Sequence, residues 1–321
     1  MTRVIYHPAY NYGIWGAQWL HPFDQSKSAR IWKRLRSLCG ASLGSALVRP
    51  ERPAGEQELL LVHSQQHLQS LKRPTVMAAA LEIPLLSYFP AWVSDRLILR
   101  PMRWQTMGSL VAAREALSCG LAVNLGGGFH HAHRDLAHGF SVYNDIATLI
   151  LALRGEGKLQ QDDRVAYIDL DAHHGDGVAA IFANDPRVFL LDMYNAAIFP
   201  GDGQTGDRVD CRVRLHSGIT GREYVELLRQ KLPGFLESVA RGGQLKLAVY
   251  NAGTDVYERD PLGLLRLSEQ DILERDLFVL GELQARAIPA VMLLSGGYTQ
   301  ESYRLVANTA VRIVQSPNGF R

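Results

Sequence analysis

Short apolar runs that alternate with longer amphipathic segments constrain the fold of this chain more than any other feature. Five runs of four to six residues are rich in Val, Leu and Ile, at positions 121–124, 165–169, 188–192, 246–251 and 290–294. Runs of this length and composition are typical of parallel strands that are buried on both faces. A further strand is predicted at 4–6. The alternation predicts an α/β fold, with a doubly wound, mostly parallel central sheet flanked by helices.

Helix-start signals fill the segments between these runs. Thr220 with Glu223 forms a capping box, Ser268 begins a second helix, and Asn144 begins a third. We expect the first hundred residues to be mostly helical. The chain has no internal repeat and no Pro/Gly/Ser-rich linker, so we predict a single domain over residues 1–321.

Composition excludes several classes of protein. Lys and Arg number 34 against 32 Asp and Glu, a formal charge of +2 that is too balanced for an electrostatic nucleic-acid binder. No apolar stretch approaches the roughly 18 residues of a membrane helix, and the N-terminus lacks the features of a signal peptide. The three cysteines are far apart and form no CxxC pair. We therefore expect a soluble, cytoplasmic protein with reduced thiols and no membrane span. Its oligomeric state is not indicated.

Four of the predicted strands run directly into loops that are rich in Gly, His and Asp. The four loops begin at Gly126, Asp169, Ala252 and Ser295. Ligands of open parallel sheets bind outside the carboxyl ends of the strands, so these loops should converge on one rim. Six of the 11 histidines lie between positions 130 and 174, which favours a metal or acid–base site there.

A three-ligand metal site can be built from two of these loops. Asp171 and His173 are two residues apart, so both side chains can project toward one ion, and Asp255 can complete the set. Two carboxylates and one imidazole with an open position are the pattern of catalytic zinc. An isolated Asp-x-His is also common as a capping or buried hydrogen-bonded group, and the other loops favour the metal. Iron or cobalt could use the same ligands.

The remaining loop residues suit proton transfer and oxyanion stabilisation. An imidazole of the His130–His131 pair can take up and deliver a proton near neutral pH, and Asp169 and Asp176 are available to orient the pair. Tyr298 follows two glycines and could donate its hydroxyl to an oxyanion. The glycine run lacks the accompanying residues of a nucleotide-binding loop. We expect two further histidines to lie in the solvated loop after the pair and not to bind a second metal: His133 and His138.

Taken together, these loops resemble the zinc-dependent histone deacetylase family of the arginase/deacetylase fold. The resemblance rests on residues 126–131 (GGGFHH), 169–177 (DLDAHHGDG), 253–255 and 295–298. Further segments are similar to the class IV branch: 20–24 (LHPFD), 99–101, 193–195, 199–202, 250–255 (YNAGTD) and Ser295. The likeness extends from about residue 5 to residue 314.

The resemblance implies a role for each polar side chain of the loops. Three residues would bind one zinc ion: Asp171, His173 and Asp255. His131, paired with Asp176, would be the general base and acid. His130, paired with Asp169, would tune the electrostatics and help to hold the attacking water. Tyr298 would hydrogen-bond the substrate carbonyl.

The same resemblance implies a substrate tunnel and a second ion. Gly139 and Phe140 would line a narrow acyl-lysine tunnel, with Phe199 as the opposite wall. A structural potassium ion is expected near the backbone of three residues, with Asp192 close by: Asp169, Asp171 and His173.

Two sequence features bear on what can be carried over from the family. Animal class IV proteins have Gln-Gly-Asn where this chain has His174, Gly175 and Asp176, so their acyl preference does not transfer. Arginases need a further Asp where this chain has Tyr257, which favours one metal and an amide substrate. We therefore expect an enzyme that removes acetyl or longer acyl groups from the ε-amine of lysine in a protein or peptide. Acetylated polyamines or other small amides, and a non-catalytic acyl-lysine reader, remain as alternatives.

Overall fold

One parallel sheet forms the centre of the computed structural model, which describes residues 2–12, 24–201, 203 and 205–316. Its eight strands are β1 (Arg3–Ile5), β2 (Leu47–Val48), β3 (Leu121–Asn124), β4 (Arg164–Asp169), β5 (Val188–Asn195), β6 (Cys211–Leu215), β7 (Leu245–Asn251) and β8 (Ala290–Leu293). Their order across the sheet is β2-β1-β3-β8-β7-β4-β5-β6, and every neighbouring pair is parallel. The predicted α/β class and parallel sheet are confirmed.

Helices connect the strands and cover the sheet. They are α1 (Lys27–Cys39), α2 (Glu56–Leu59), α3 (Gln65–Ser70), α4 (Pro74–Ala80), α5 (Ala91–Ser94), α6 (Arg100–Cys119), α7 (Asp145–Gly155), α8 (Asp176–Ile181), α9 (Gly221–Ala240), α10 (Glu269–Ala285) and α11 (Ser302–Gln315). The three predicted helix starts are confirmed, because the side chains of Asn144, Thr220 and Ser268 each accept a hydrogen bond from a backbone N–H in the first turn.

Two apolar layers pack on the two faces of the sheet. Along β4, Ala166 and Ile168 contribute to one layer, while Val165 and Tyr167 contribute to the other. Successive strand residues point to opposite faces, so a strand buried on both sides must be apolar at nearly every position. This is why the strands appear in the sequence as short unbroken apolar runs. Strand β2 has only two residues and was not predicted.

The sheet order places the four unusual loops side by side. The strands that precede them, β3, β8, β7 and β4, are consecutive neighbours in the sheet. Because all four run in the same direction, their carboxyl ends lie on one rim. The class IV segment at 20–24 lies outside the described residues except for Asp24, as does Asp202 of the segment 199–202.

None of the helices within the described ranges is long and apolar enough to cross a membrane.

Candidate metal and acid–base site

Three of the predicted residues form a compact group at the ends of β4 and β7, which we call the inner cluster: Asp171, His173 and Asp255. One potential ligand atom from each lies within 4.8 Å of the other two, and all three residues are buried. His173 Nδ1 is 3.0 Å from Asp171 Oδ1 and 2.9 Å from Asp255 Oδ2. Ligand atoms around a tetrahedral zinc ion are about 3.3 Å apart, given metal–ligand distances of about 2.0–2.1 Å. The group therefore has the donor types and the spacing of a zinc site.

Backbone and hydroxyl donors fix the two carboxylates of the inner cluster. Asp171 Oδ2 accepts hydrogen bonds from Ser295 Oγ and from the N–H of Gly296, both at 2.8 Å. Asp255 Oδ1 accepts one from the N–H of Ala172 at 2.9 Å. A Cβ at Gly296 would lie 2.3 Å from Asp255 Oδ2, so only glycine fits there. The glycines of the SGGY loop therefore allow it to pack directly against the cluster.

The electrostatics of the inner cluster favour a cation. Burial, followed by the neighbouring charge of Asp171, raises the pKa of Asp255 to about 7. Burial lowers the pKa of His173, but its hydrogen bonds and charge interactions with the two carboxylates raise it to about 10 overall. Two buried carboxylates so close together repel each other unless positive charge lies between them.

Each histidine of the adjacent pair has its own carboxylate. His130 Nδ1 is 2.8 Å from Asp169 Oδ2, and His131 Nδ1 is 2.7 Å from Asp176 Oδ1. The two rings are 4.0 Å apart between centroids, and both are buried. Asp169 is held in turn by the Asn251 amide at 3.0 Å. The structure thus brings together the two His–Asp pairs that the sequence analysis considered.

Although the two imidazoles are neighbours, their proton affinities differ. Burial lowers the pKa of His130, but the carboxylates of Asp169 and Asp171 outweigh this effect and raise it to about 10. Burial, together with the positive charge of His130, lowers the pKa of His131 to about 3 in spite of its bond to Asp176. His131 is therefore neutral at pH 7 and can accept a proton.

Tyr298 lies across the inner cluster from the histidine pair. Its backbone N–H donates to Asp260 Oδ2 at 2.8 Å, and its ring lies edge-on to His173 at 6.1 Å between centroids. Burial, followed by the charge of Asp171, raises the pKa of Tyr298 well above its ordinary value. The phenol therefore keeps its proton and can act as a hydrogen-bond donor.

The three predicted tunnel residues surround the mouth of the site. Phe199 is 45% exposed, and its ring is 5.2 Å from that of His131 between centroids. The Phe140 ring is 5.8 Å from that of Tyr298. Gly139 has a φ of +54°, and a Cβ there would lie 2.5 Å from the His131 ring and 2.9 Å from the Phe199 ring. A narrow passage between the aromatic rings therefore requires glycine at 139.

A cleft beside the histidine pair, lined also by Phe140 and Tyr298, reaches α1. Lys27 lies at its inner end and is buried; its ammonium donates to the carbonyls of Ser295 (3.2 Å) and Gly296 (2.9 Å). Burial lowers the pKa of Lys27 to about 8. Lys27 holds the loop that carries Tyr298, and the sequence analysis missed it. On an amphipathic helix, a buried lysine has the same sequence pattern as one on the solvated face.

Two more histidines join Asp176, contrary to the expectation of a solvated loop. His133 Nε2 lies 2.9 Å from Asp176 Oδ2, and His138 Nε2 lies 3.1 Å from the same oxygen. Their side chains are only 25% and 24% exposed. The expectation of a freely solvated pair was wrong, because the loop folds back over the start of α8.

Asp192, which was predicted near a potassium ion, lies within β5 and pairs with Asp169 of β4. Its Oδ2 is 2.7 Å from His174 Nδ1 and accepts the N–H of Gly175 at 3.0 Å. Its Oδ1 is buried and has no hydrogen-bond partner within the described part of the chain.

Comparison with known proteins identifies the family. A family model that describes the histone deacetylase domain matches residues 21–314. The chain belongs to the histone deacetylase family. Histone deacetylase 2 of Arabidopsis thaliana is 39% identical to it over 312 residues, which cover 96% of this chain and 77% of the relative. As a member of this family, the chain is a hydrolytic deacetylase.

Microbial relatives are similar over different shares of the chain. A probable deacetylase of Methanothermobacter thermautotrophicus is 27% identical over 93% of this chain and 86% of the relative. The acetoin utilization protein AcuC of Bacillus subtilis is 32% identical over 64% of this chain and 52% of the relative. Histone deacetylases of this family are zinc-dependent and act on acylated substrates. The comparisons identify the family as a whole, so the class IV relationship stays a prediction.

Proposed function

We propose that this chain is a zinc-dependent deacylase, built as one catalytic domain, that removes acetyl or longer acyl groups from the ε-amine of lysine in proteins or peptides. One observation carries the proposal: the inner cluster lies on one rim of the sheet beside two buried His–Asp pairs and the phenol of Tyr298. A metal, a neutral base and an oxyanion donor around one point are the parts that amide hydrolysis requires.

The inner cluster would hold the zinc ion, with Asp171, His173 and Asp255 as ligands. The fit rests on the donor set, on the spacing of the ligand atoms, and on the crowding that raises the pKa of Asp255. When bound, zinc supplies a Lewis acid that polarises the amide carbonyl and lowers the pKa of the attacking water. Three protein ligands leave an open position, as catalytic zinc sites do.

His131 takes the proton of the attacking water and returns it to the departing amine. Since its neighbours hold the pKa of Asp176 far below the ordinary range, that carboxylate is ionised and can only accept hydrogen bonds. Nδ1 of His131 therefore carries the proton that faces Asp176, and Nε2 is free to accept another. Asp176 then stabilises the imidazolium that forms during the reaction.

His130 and Tyr298 provide positive charge and a hydrogen bond. The imidazolium of His130 is held by Asp169, and its Nε2 lies 3.8 Å from Asp171 Oδ1, so it faces the place where the water would bind. The Tyr298 hydroxyl donates to the carbonyl oxygen as negative charge develops there. His130 is held in place by burial and by Asp169, and the backbone of Tyr298 is held by Asp260.

Access and acyl binding would use the cleft next to the inner cluster. The passage between Gly139, Phe140 and Phe199 would hold the methylene chain of lysine, which packs well against aromatic rings. The acyl group would enter the part of the cleft that leads toward Lys27.

A potassium ion near Asp192 and a cytoplasmic location complete the proposal. The buried, unpaired Oδ1 of Asp192 is an available oxygen ligand beside the backbone after β4. A bound cation would balance this charge and stiffen the loop that carries the zinc ligands. All three cysteines are free thiols, which supports a reducing compartment.

A substrate panel tests the proposed function. The purified protein loaded with zinc is assayed on acetyl-, octanoyl- and myristoyl-lysine peptides and on acetylputrescine, with and without a hydroxamate chelator. We expect turnover of at least one lysine peptide that the hydroxamate abolishes. Turnover of acetylputrescine alone would instead identify a small-amine deacetylase. Binding of acyl-lysine peptides without turnover of any substrate would identify a reader and contradict the proposal.

A further inference from the structure

A second group of possible metal ligands lies at the mouth of the site, and we call it the outer cluster: His133, His138 and Asp176. One ligand atom from each lies within 4.8 Å of the other two. The two histidines belong to the loop between β3 and α7, and Asp176 is the first residue of α8. The fold of this loop therefore brings His133 next to Asp176, which is 43 positions away in the sequence.

The positions of the atoms suit a transition-metal ion. Nε2 of His133 and Nε2 of His138 lie 2.9 and 3.1 Å from the same oxygen, Asp176 Oδ2. A tetrahedral shell of two nitrogens and one oxygen needs separations of about 3.3 Å, which small rotations of the side chains would supply. The rings are 5.0 Å apart between centroids and tilted by 57°, so they do not stack against each other.

Hydrogen bonding leaves one member of the outer cluster without a suitable partner. Nε2 of His138 is buried, yet among the described residues it makes no hydrogen bond of acceptable geometry, although it faces Asp176. A buried ring nitrogen that faces a shared carboxylate without a hydrogen bond is in position to be a metal ligand, and coordination would satisfy it. Because about a quarter of each imidazole side chain is exposed, water can reach the ion and fill its remaining positions.

The donor set indicates the class of metal. Two imidazoles and one carboxylate favour Zn²⁺ or a similar first-row divalent ion over Mg²⁺ or Ca²⁺, which prefer oxygen ligands alone. The outer cluster contains no cysteine that could oxidise. Zinc must be present whenever the inner cluster is loaded, so it is available to the outer cluster as well.

We propose that the outer cluster is a second, exchangeable zinc site that inhibits the enzyme when it is filled. Asp176 is shared, because its Oδ1 bonds His131 while its Oδ2 faces the two histidines. A dication on Oδ2 draws negative charge away from His131 and makes the imidazolium less stable. The inhibitory effect rests on the proposed function, whereas the binding of zinc does not.

Zinc stoichiometry tests the site without any assay of activity. The protein, the double variant His133→Gln with His138→Gln, and Asp255→Ala are dialysed to equilibrium against Zn²⁺ and analysed for bound metal. We expect two ions in the parent, one in the double variant and one in Asp255→Ala. His216→Gln is the matched control, since that histidine is exposed and bonds only the carbonyl of Ser217. It should bind two ions.

The outcomes separate the two proposals. One zinc ion in the parent, or two in the double variant, overturns the outer site and leaves the inner one untouched. Two ions in Asp255→Ala contradict the inner site instead. Thermal melting curves check that each variant is folded, which the partial exposure of both histidines leads us to expect.

Inhibition is measured as the ratio of turnover at one equivalent of zinc to turnover in excess zinc, within each variant. General base catalysis contributes about 10²–10⁴-fold, so impairing His131 should lower parental turnover by about 10-fold or more. The turnover of the double variant should fall by less than about 2-fold in excess zinc. Equal inhibition in both proteins would show that the excess ion acts elsewhere.

Discussion

The inner and outer clusters contain the same kinds of residues on the same rim of the sheet, but the fold holds them differently. The inner cluster lies directly at the ends of β4 and β7, and all its residues are buried. The outer cluster takes its two imidazoles from a loop without helix or strand, and these side chains are about a quarter exposed. The two clusters therefore differ in scaffold as well as in the number of carboxylates, which is two inside and one outside.

This difference predicts how tightly each group binds metal. Backbone donors fix both carboxylates of the inner cluster, so its geometry exists before the ion binds. Water cannot screen the inner charges, so a bound metal ion gains strongly from the attraction of both carboxylates. Water can screen the outer charges, so the binding of a metal ion there is less favourable and the ion dissociates more readily. We therefore expect a permanent ion inside and an exchangeable one outside.

The largest expected effect comes from removing an inner carboxylate. Asp171→Ala or Asp255→Ala should lose the tightly bound zinc and lower turnover by more than the roughly 10²–10³-fold of a single oxyanion donor. Zinc content by elemental analysis and turnover on an acyl-lysine peptide measure this. Asp207→Ala is the control, because its side chain is 91% exposed. Stoichiometric tight zinc in both inner variants would mean that these residues are not the ligands.

The next largest effect separates metal binding from chemistry. Tyr298→Phe should keep zinc at the parental level and lose about 10²–10³-fold in turnover, because only the oxyanion donor is removed. Tyr88→Phe serves as the control, since that ring is 85% exposed. Turnover above about a third of the parental value would remove Tyr298 from the proposed mechanism.

A smaller loss is expected from Gly139→Ala at the mouth between the clusters. The added methyl would displace the His131 ring by a few tenths of an ångström or more, and misplacement by about 1 Å can cost 10²-fold in turnover. Gly157→Ala is a matched control, because Gly157 also has a positive φ (+68°) but nothing lies within 4 Å of its added methyl. If both variants lose the same fraction of the parental turnover, the loss is caused by backbone strain and not by the contact with His131.

The smallest effect on turnover at pH 7 is expected at His63, which hydrogen-bonds the loop between β3 and α7. His63 Nε2 accepts the N–H of Asn144 at 3.0 Å, and Nδ1 faces the carbonyl of Arg134 at 3.3 Å. Burial lowers the pKa of His63 to about 4, against about 6.5 when unfolded. The unfolded chain therefore binds more protons in this range, and the free energy of unfolding should fall as the pH drops from about 6.5 to 4, by about 3 kcal/mol.

The His63→Gln variant tests this anchor, because glutamine can keep both contacts without titrating. Its stability in urea should change less between pH 7 and 4 than that of the parent, while His216→Gln should follow the parent. Hydrogen exchange at pH 4.5 should show faster opening of the loop at 130–144 than of the strand ends at the inner cluster. Equal protection of the two regions would contradict the difference drawn between them.

Much of the fold follows from local patterns in the chain. Strands buried on both faces appear as apolar runs, and capping residues mark the helices at Asn144, Thr220 and Ser268. The rule that ligands bind at the carboxyl ends of parallel strands then places the four loops together. The two-residue strand β2 escaped prediction, because so short a pairing depends on its neighbour β1 and has no pattern of its own.

The polar residues of the loops and the parallel direction of the strands could be inferred from the sequence, because both follow from local sequence patterns. They are enough to name the inner cluster and the histidine pair as candidates. The contacts of Lys27 with Gly296, and of His133 and His138 with Asp176, could not be derived in this way. They depend on where distant segments pack, and packing also sets the burial that separates the proton affinities of His130 and His131. Neighbouring histidines with similar sequence surroundings therefore acquire different chemistry only once the chain is folded.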